Sequence, residues 1–151
     1  MKQIVLQSNK NIINRAEELI CDICDEFHIQ NYLGIVSMAV MKAVENAAIH
    51  GNHFDSSKQV ILNWGSCKGG LFFEVSDQGE GFDFTKYGEI PSIDHKGDGI
   101  FMMKTLADRV TFSDNGTKVR LEFVIEGIDT SAQIERCAVL QDFFKSATVH
   151  A

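Results

Sequence analysis

The sequence predicts a two-layer α/β sandwich, in which a mixed, mostly antiparallel sheet is covered on one face by helices. Residues 12–27 and 33–49 carry apolar side chains at spacings of three and four, which is typical of amphipathic helices. Two pairs of short segments rich in β-branched and aromatic residues are each joined by a glycine-containing turn, which predicts two hairpins.

Length and charge set the class of protein. The chain has 151 residues, 44% of them hydrophobic and 23% charged, which fits one globular domain with a real core. We assign residues 1–127 to this domain and residues 128–151 to a helical extension. The net charge of -7, without a dense Lys/Arg run, argues against direct nucleic-acid binding. Since no segment approaches about 18 apolar residues, we expect no membrane span and a cytoplasmic location.

The first half of the chain predicts one strand and two helices. Residues 4–7 form the strand, and Ser8 or Asn9 can cap the helix that follows. The apolar face of that helix consists of Ile12, Ala16, Leu19, Ile20, Ile23 and Phe27. A second helix covers residues 33–49, and the His-Gly-Asn sequence at residues 50–52 predicts its end.

The second half predicts two hairpins separated by a loop and a helix. The segments assigned to strands are residues 60–64, 71–76, 110–112 and 118–125. Asp114, Asn115 and Gly116 give a strong turn signal between the last two strands. Residues 82–96 predict a long loop with room for one helical turn, and residues 100–108 predict a helix.

The last residues predict a C-terminal helix. Thr130 and Gln133 resemble a capping box. The predicted apolar face consists of Ile134, Cys137, Leu140 and Phe144. Two roles remain open, because adjacent Phe143 and Phe144 cannot easily share one face: the helix covers its own domain, or it contacts a second subunit or a partner.

Cys21 and Cys24 have a spacing that metal ligands use, but Cys67 and Cys137 stand alone in the sequence. A zinc site needs a second pair of ligands. We therefore interpret the first two cysteines as small, reduced residues on a helix.

Three short motifs, in this order, predict a nucleotide site. Asn46 lies near the end of a helix in the sequence Ala-Val-Glu-Asn-Ala-Ala-Ile-His-Gly-Asn at residues 43–52. The Asp-Gln-Gly-Glu-Gly-Phe sequence at residues 77–82 follows a strand, and Gly-Asp-Gly-Ile-Phe at residues 97–101 opens a helix. Each motif alone is weak, but together they indicate an adenine nucleotide.

The chemistry of the side chains suggests their roles. Asp77 is an acceptor suited to the exocyclic amine of adenine, and Gly79 and Gly81 allow close approach of the backbone. Gly97 and Gly99 place the free amides of a helix N-terminus against phosphates.

Asn46 offers a carbonyl oxygen suited to Mg²⁺. His50 lies one turn beyond Asn46 on the same helix. We leave open whether His50 faces the phosphates or bonds the last carbonyls of its own helix.

These motifs resemble the Bergerat-fold, or GHKL, ATPase superfamily over roughly residues 5–125, and look most like its anti-sigma factor serine kinase branch. The resemblance implies a protein that binds ATP with Mg²⁺ and holds a sigma factor inactive. It further implies phosphorylation of a serine or threonine on an anti-sigma factor antagonist, and a homodimer.

Residue by residue, the resemblance implies Asn46 as the magnesium ligand and residues 82–96 as the lid over ATP. The positions that it assigns to ATP binding are Asn46, Asp77, Gly79, Gly81, Phe82, Gly97, Gly99, Ile100 and Thr117.

One position departs from this family. The family carries a glutamate as general base four residues before the magnesium asparagine, and Lys42 stands there. With an ordinary pKa of about 10.4, a lysine is an acid at neutral pH. Glu45 is a weak substitute because it lies about 100° around the helix from Asn46, whereas position 42 lies about 40° away. Lys42 could instead bind the γ-phosphate.

Two hypotheses follow from this departure. The first is a serine/threonine kinase, and the second is an ATP-binding switch protein that sequesters its partner with slow or absent phosphotransfer. An orphan catalytic domain of a histidine kinase is a weaker third, because no phospho-accepting helix pair accompanies the motifs.

Overall fold

A computed structural model describes residues 1–87, 97–125 and 138–145. Five strands form one sheet in the order β1-β2-β3-β5-β4. They are β1 (Lys2–Gln7), β2 (Gln59–Cys67), β3 (Gly70–Ser76), β4 (Arg109–Ser113) and β5 (Lys118–Val124). All four pairings between these described strands are antiparallel. The predicted two-layer fold class is confirmed.

Helices cover one face of this sheet. They are α1 (Ile12–Glu26), α2 (Leu33–Glu45), α3 (Asp98–Leu106) and α4 (residues 138–145). A π-helical turn, Asn46–Gly51, continues α2 without a break. The inward residues alternate along the strands, so Leu62, Phe73 and Leu121 are fully buried against the helices.

The start of α1 differs from the prediction. The N-cap is Asn11, not Ser8 or Asn9. β1 extends to its predicted end, and the backbone N–H of Ser8 then donates to the carbonyl of Lys58. Asn9 instead accepts a hydrogen bond from the N–H of Asn11 at 2.9 Å, a local turn that precedes the helix.

The α2 segment corrects the expectation that nothing in the chain resembles a membrane span. Residues Gln30–Gly51 are long and apolar enough to cross a membrane by length and composition. The apolar composition of this segment is explained by the fold, because α2 is a core helix that packs against the sheet. Its buried residues are Ile35, Val36, Ala39, Val40, Ala43 and Val44.

Both predicted hairpins are confirmed. Gly69 has φ +81° in the turn between β2 and β3, a conformation that glycine adopts without strain. Asn115 and Gly116 both have positive φ in the turn between β4 and β5. A short 3₁₀ turn, Phe84–Lys86, occupies the described part of the predicted loop.

The described part of the C-terminal segment, α4, packs on its own domain. Leu140 is buried in the core, and the ring of Phe143 lies 5.3 Å from that of Phe101 on α3. The prediction that Phe144 lies on the apolar face is wrong, since Phe144 is exposed and Phe143 takes that place. The two adjacent residues cannot share one face, because successive helical side chains point about 100° apart. Thr130, Gln133, Ile134 and Cys137 lie outside the described residues.

Cys24 is fully buried on α1. Burial, with the neighbouring Cys21 and Asp25, raises the pKa of the Cys24 thiol to about 11. The thiol is therefore protonated at neutral pH, as expected of a small apolar core residue.

Candidate functional site

A cavity of about 390 Å³ opens between the end of α2, the turn after β3 and the start of α3. Apolar side chains form its floor. They are Ala43, Ala47, Val75, Met103 and Val119. Such a cavity is large enough to bury a small organic ligand and apolar enough to exclude water from it.

Residues from all three sequence motifs line this cavity, the third motif through Ile100 alone, and the predicted Gly97 and Gly99 do not line it. The predicted site residues in its wall are Asn46, Asp77, Gly81, Phe82, Ile100 and Thr117. His50 lines it as well. Segments that are 20 to 70 residues apart in the chain thus meet because β3 and β5 are neighbours and α2 crosses the sheet above them.

Asp77 follows β3 directly. Its Oδ1 accepts a hydrogen bond from the N–H of Gly79 at 2.8 Å, and its own N–H donates to the carbonyl of Thr117. Burial raises the pKa of the Asp77 carboxyl above its usual value, and the Gly79 hydrogen bond and the charge of Lys58 oppose that shift. A partly desolvated carboxylate of this kind binds a ligand N–H strongly.

Glycines let the backbone approach Asp77 from two sides. A Cβ on Gly51 would lie 2.5 Å from Oδ2 of Asp77, and a Cβ on Gly79 would overlap the carbonyl oxygen of Gly51. Gly79 therefore packs behind the cavity, although it does not line the cavity itself. Gly51 was missed as a site residue, because the sequence suggested only a helix end there.

The turn at residues 79–82 is joined to the turn between β4 and β5. The N–H of Phe82 donates to the carbonyl of Asn115 at 2.9 Å, and the Asn115 side chain donates to the carbonyl of Glu80 at 3.1 Å. Gly81 has φ +84°, and a Cβ there would overlap the carbonyl oxygen of Asn115. Thr117 donates its hydroxyl hydrogen to the carbonyl of Asp114. The hydroxyl oxygen of Thr117 therefore keeps its lone pairs as acceptors.

The start of α3 contributes Ile100 to the cavity lining. Gly97 is the N-cap of this helix, and a Cβ on Gly99 would lie 3.1 Å from Oδ1 of Asn46. The amide oxygen of Asn46 and the N-terminus of α3 therefore face each other closely. The positive end of a helix dipole favours an anion, glycines let that anion approach the backbone, and the amide oxygen is suited to a hard cation.

Lys42 and Glu45 do not line the cavity. Lys42 Nζ lies 3.0 Å from Oε2 of Glu45, and each side chain is about one third exposed (34% and 33%). The structure therefore does not bring Glu45, the weak catalytic candidate, to the site. Its position next to Asn46 directs it to another side of the helix, where it pairs with Lys42.

An aromatic wall was not predicted. Phe82 contacts Phe112 edge-on at 5.6 Å and Tyr87 at 6.2 Å, and all three line the cavity. Phe84 stacks on Phe112 at 5.0 Å and also contacts Phe82 edge-on at 6.4 Å. Phe112 was interpreted only as a strand residue, since nothing in the alternation along β4 marks which face borders a cavity.

Comparison with known proteins gives the family. The family model described as "Histidine kinase-like ATPase domain" matches residues 15–123. An anti-sigma F factor from Clostridium perfringens (strain ATCC 13124) is 32% identical over 93 residues, 56% of this chain and 66% of the relative. The anti-sigma F factor of strain SM101 is 31% identical over the same shares of both chains. The match thus spans slightly less than two thirds of these relatives.

The glycine turn gives a first prediction. Gly81→Ala should lower the free energy of unfolding by about 2 kcal/mol, because alanine is strained at positive φ and its Cβ overlaps Asn115. Gly34→Ala is the control, since Gly34 lies in α2 with no atom within 4 Å of an added Cβ. That control should be neutral or stabilising by up to about 1 kcal/mol. Equal losses of unfolding free energy for Gly81→Ala and Gly34→Ala, measured by urea denaturation, would contradict this explanation.

Asp77 gives a second prediction, on pH dependence. A raised pKa in the folded state means that the ionised carboxyl destabilises the fold above the folded pKa. This penalty disappears as the pH falls through the folded pKa towards 3.8. The stability of the wild type relative to Asp77→Asn should therefore rise as the pH is lowered from 7 to 4.

Asp55→Asn is the control, because the pKa of Asp55 is shifted in the direction opposite to that of Asp77. Hydrogen bonds from Ser57 lower the pKa of Asp55 in the folded state. The stability that Asp55 contributes is present above 3.8 and is lost as the pH falls through the folded pKa. Urea titrations at several pH values test both trends, and parallel curves for the two variants would refute the assignment.

Proposed function

Because the chain belongs to the histidine kinase-like ATPase domain family, we propose that it binds Mg-ATP in the described cavity and acts as an anti-sigma factor. One observation carries the nucleotide assignment. Asp77 and Asn46 share one cavity with a largely apolar lining, and the start of α3 packs closely against Asn46. An adenine nucleotide needs an acceptor for its amine, an apolar surface for its base and donors for its phosphates.

Each part of the cavity fits one part of the ligand. Asp77 would accept from the adenine amine, with Gly79, Gly81 and Thr117 shaping the surroundings of the base. Gly97, Gly99 and Ile100 at the start of α3 would hold the phosphates, and Phe82 belongs to the aromatic wall. Asn46 would hold Mg²⁺, whose role is to neutralise charge on the phosphates. The close approach of Gly99 to Asn46 supports this, since a side chain at position 99 would crowd the amide oxygen.

Similarity to anti-sigma F factors supports the choice of partner. We propose that the chain holds a sigma factor inactive, and so regulates transcription in the cytoplasm without contacting nucleic acid. The net charge of -7 agrees with a protein partner rather than a nucleic acid. An anti-sigma factor antagonist as second partner, a homodimer, and the division into a domain at 1–127 and an extension at 128–151 are further parts of this proposal.

The chemistry is proposed in two forms. As a serine/threonine kinase, the chain would position an acceptor hydroxyl whose oxygen bonds to the γ-phosphorus, while the bond to ADP breaks and the hydroxyl proton passes to water. Positioning supplies most of such a rate, but a base contributes about 10²- to 10⁴-fold. The alternative is an ATP-binding switch with little turnover. The Lys42–Glu45 ion pair favours this alternative, because it engages Glu45, the weak candidate for the base, and lies outside the cavity lining.

Calorimetry tests the nucleotide proposal. Mg-ATP should bind the wild type saturably, and Asp77→Asn should weaken binding at least tenfold, because the amide NH₂ opposes the adenine amine. Asp22→Asn, which removes an exposed carboxylate on α1, should leave affinity unchanged. In a second arm, purified sigma factors of the same cell are added with Mg-ATP, and a stable complex is expected by gel filtration. No saturable ATP binding by the wild type would reject the proposal.

The alternative has its own test. We expect ADP to accumulate slowly from labelled Mg-ATP with the wild type, and at least tenfold faster with Lys42→Glu. Lys42→Gln removes the charge without supplying a base, so it should stay at the wild-type rate. A robust wild-type rate that Lys42→Glu does not raise would contradict impaired catalysis and favour the kinase.

A further inference from the structure

Asn52 is the first residue after the π turn that continues α2, and it is completely buried. Every hydrogen of its amide group is used. Nδ2 donates to Oγ of Ser8 at 2.8 Å and to the carbonyl of Gln59 at 2.9 Å. Oδ1 accepts from the backbone N–H of Gln78 at 2.8 Å. A buried side-chain amide bonded in this way fixes its neighbours in one arrangement.

These bonds join three strand ends to the end of α2. Ser8 follows β1, Gln59 begins β2, and Gln78 lies in the turn after β3. The side chain of Gln78 closes the ring by accepting the N–H of Gln59 at 2.7 Å. The N–H of Asn52 donates to the carbonyl of Ala47 at 2.8 Å, which ties the same residue to the π turn.

The residues that directly precede Asn52 and Gln78 in the chain meet in the cavity. Gly51 precedes Asn52, Asp77 precedes Gln78, and the backbone of Gly51 touches the carboxylate of Asp77. The bond from Gln78 to Asn52 therefore sets the distance between α2 and the Asp77 turn. After Asn52 the chain takes positive φ at His53 and Phe54 (54° and 55°), a strained path that persists only where other contacts impose it.

We propose that Asn52, which does not line the cavity, is the positioning residue that holds Asp77 in place and thereby sets selectivity for the amino-bearing base. This inference rests on the proposed function. Without the Asn52 amide, the N–H of Gln78 loses its acceptor and the turn bearing Asp77 is free to shift. A shift of about 1 Å is enough to lose a hydrogen bond to the ligand.

Selectivity between two nucleotides tests the role. Inosine triphosphate carries a carbonyl where ATP carries the amine, so only ATP gains from Asp77. In calorimetry, Asn52→Ala should weaken Mg-ATP binding at least tenfold and binding of the inosine nucleotide less than threefold. The ratio of the two affinities should thus fall to that of Asp77→Ala, which has neither acceptor nor donor at this position. In the Asp77→Ala background, Asn52→Ala should not change the ratio further.

Ser8→Ala is the matched control. Ser8 is fully buried and loses its bond to the same amide group, but the bond between Asn52 and Gln78 remains. This variant should lose stability while keeping the affinity ratio. If circular dichroism shows that Asn52→Ala does not fold, Asn52→Ser replaces it as the smaller change.

Three outcomes separate the hypotheses. Equal weakening of both nucleotides by Asn52→Ala would show a merely structural residue and overturn the inference. A collapsed affinity ratio in Asp77→Ala but an intact ratio in Asn52→Ala would overturn the inference alone. If the wild type does not bind Mg-ATP, the proposed function fails, and the inference fails with it.

Discussion

The contact between the backbone of Gly51 and the carboxylate of Asp77 is the constraint on which the site depends. It brings the end of α2 against the turn after β3, with no space for a side chain at position 51. Gly79 packs on the carbonyl of Gly51 from the other side, so that two glycines and one carboxylate form a single contact. Everything that lines the cavity is positioned relative to this junction, because the π turn leads into it and β3 ends at it.

The surroundings of the junction explain its electrostatics. The strands end at the cavity, and their inward residues provide an apolar floor that includes Val75 and Val119. Asp77 is therefore partly desolvated, and its pKa is raised. The hydrogen bond from Gly79 limits that cost and orients the carboxylate. An acceptor held in this way is costly for stability and useful for recognition, a balance that is common at functional sites.

An ion pair between Lys42 and Glu45 lies on a side of α2 that does not line the cavity. Nζ of Lys42, one turn before the π turn, lies 3.0 Å from Oε2 of Glu45, which directly precedes that turn. Their partial exposure means that the pair adds little to stability. Its consequence is geometric, because the pair holds both side chains away from the cavity lining. Asn46, one residue later in the chain, remains in the cavity wall.

The sequence by itself determined the elements and the three motifs, because helix periodicity, hairpin turns and glycine patterns depend on neighbours within a few residues. Tertiary structure decided the rest. Gly51 contacts a residue 26 positions away in the chain, Asn52 joins three strand ends, and Phe112 borders the cavity only because β4 folds back beside β5. The choice of Phe143 over Phe144 likewise depends on where α4 meets the core. Such contacts depend on distances between remote segments, and a local pattern holds no information on those distances.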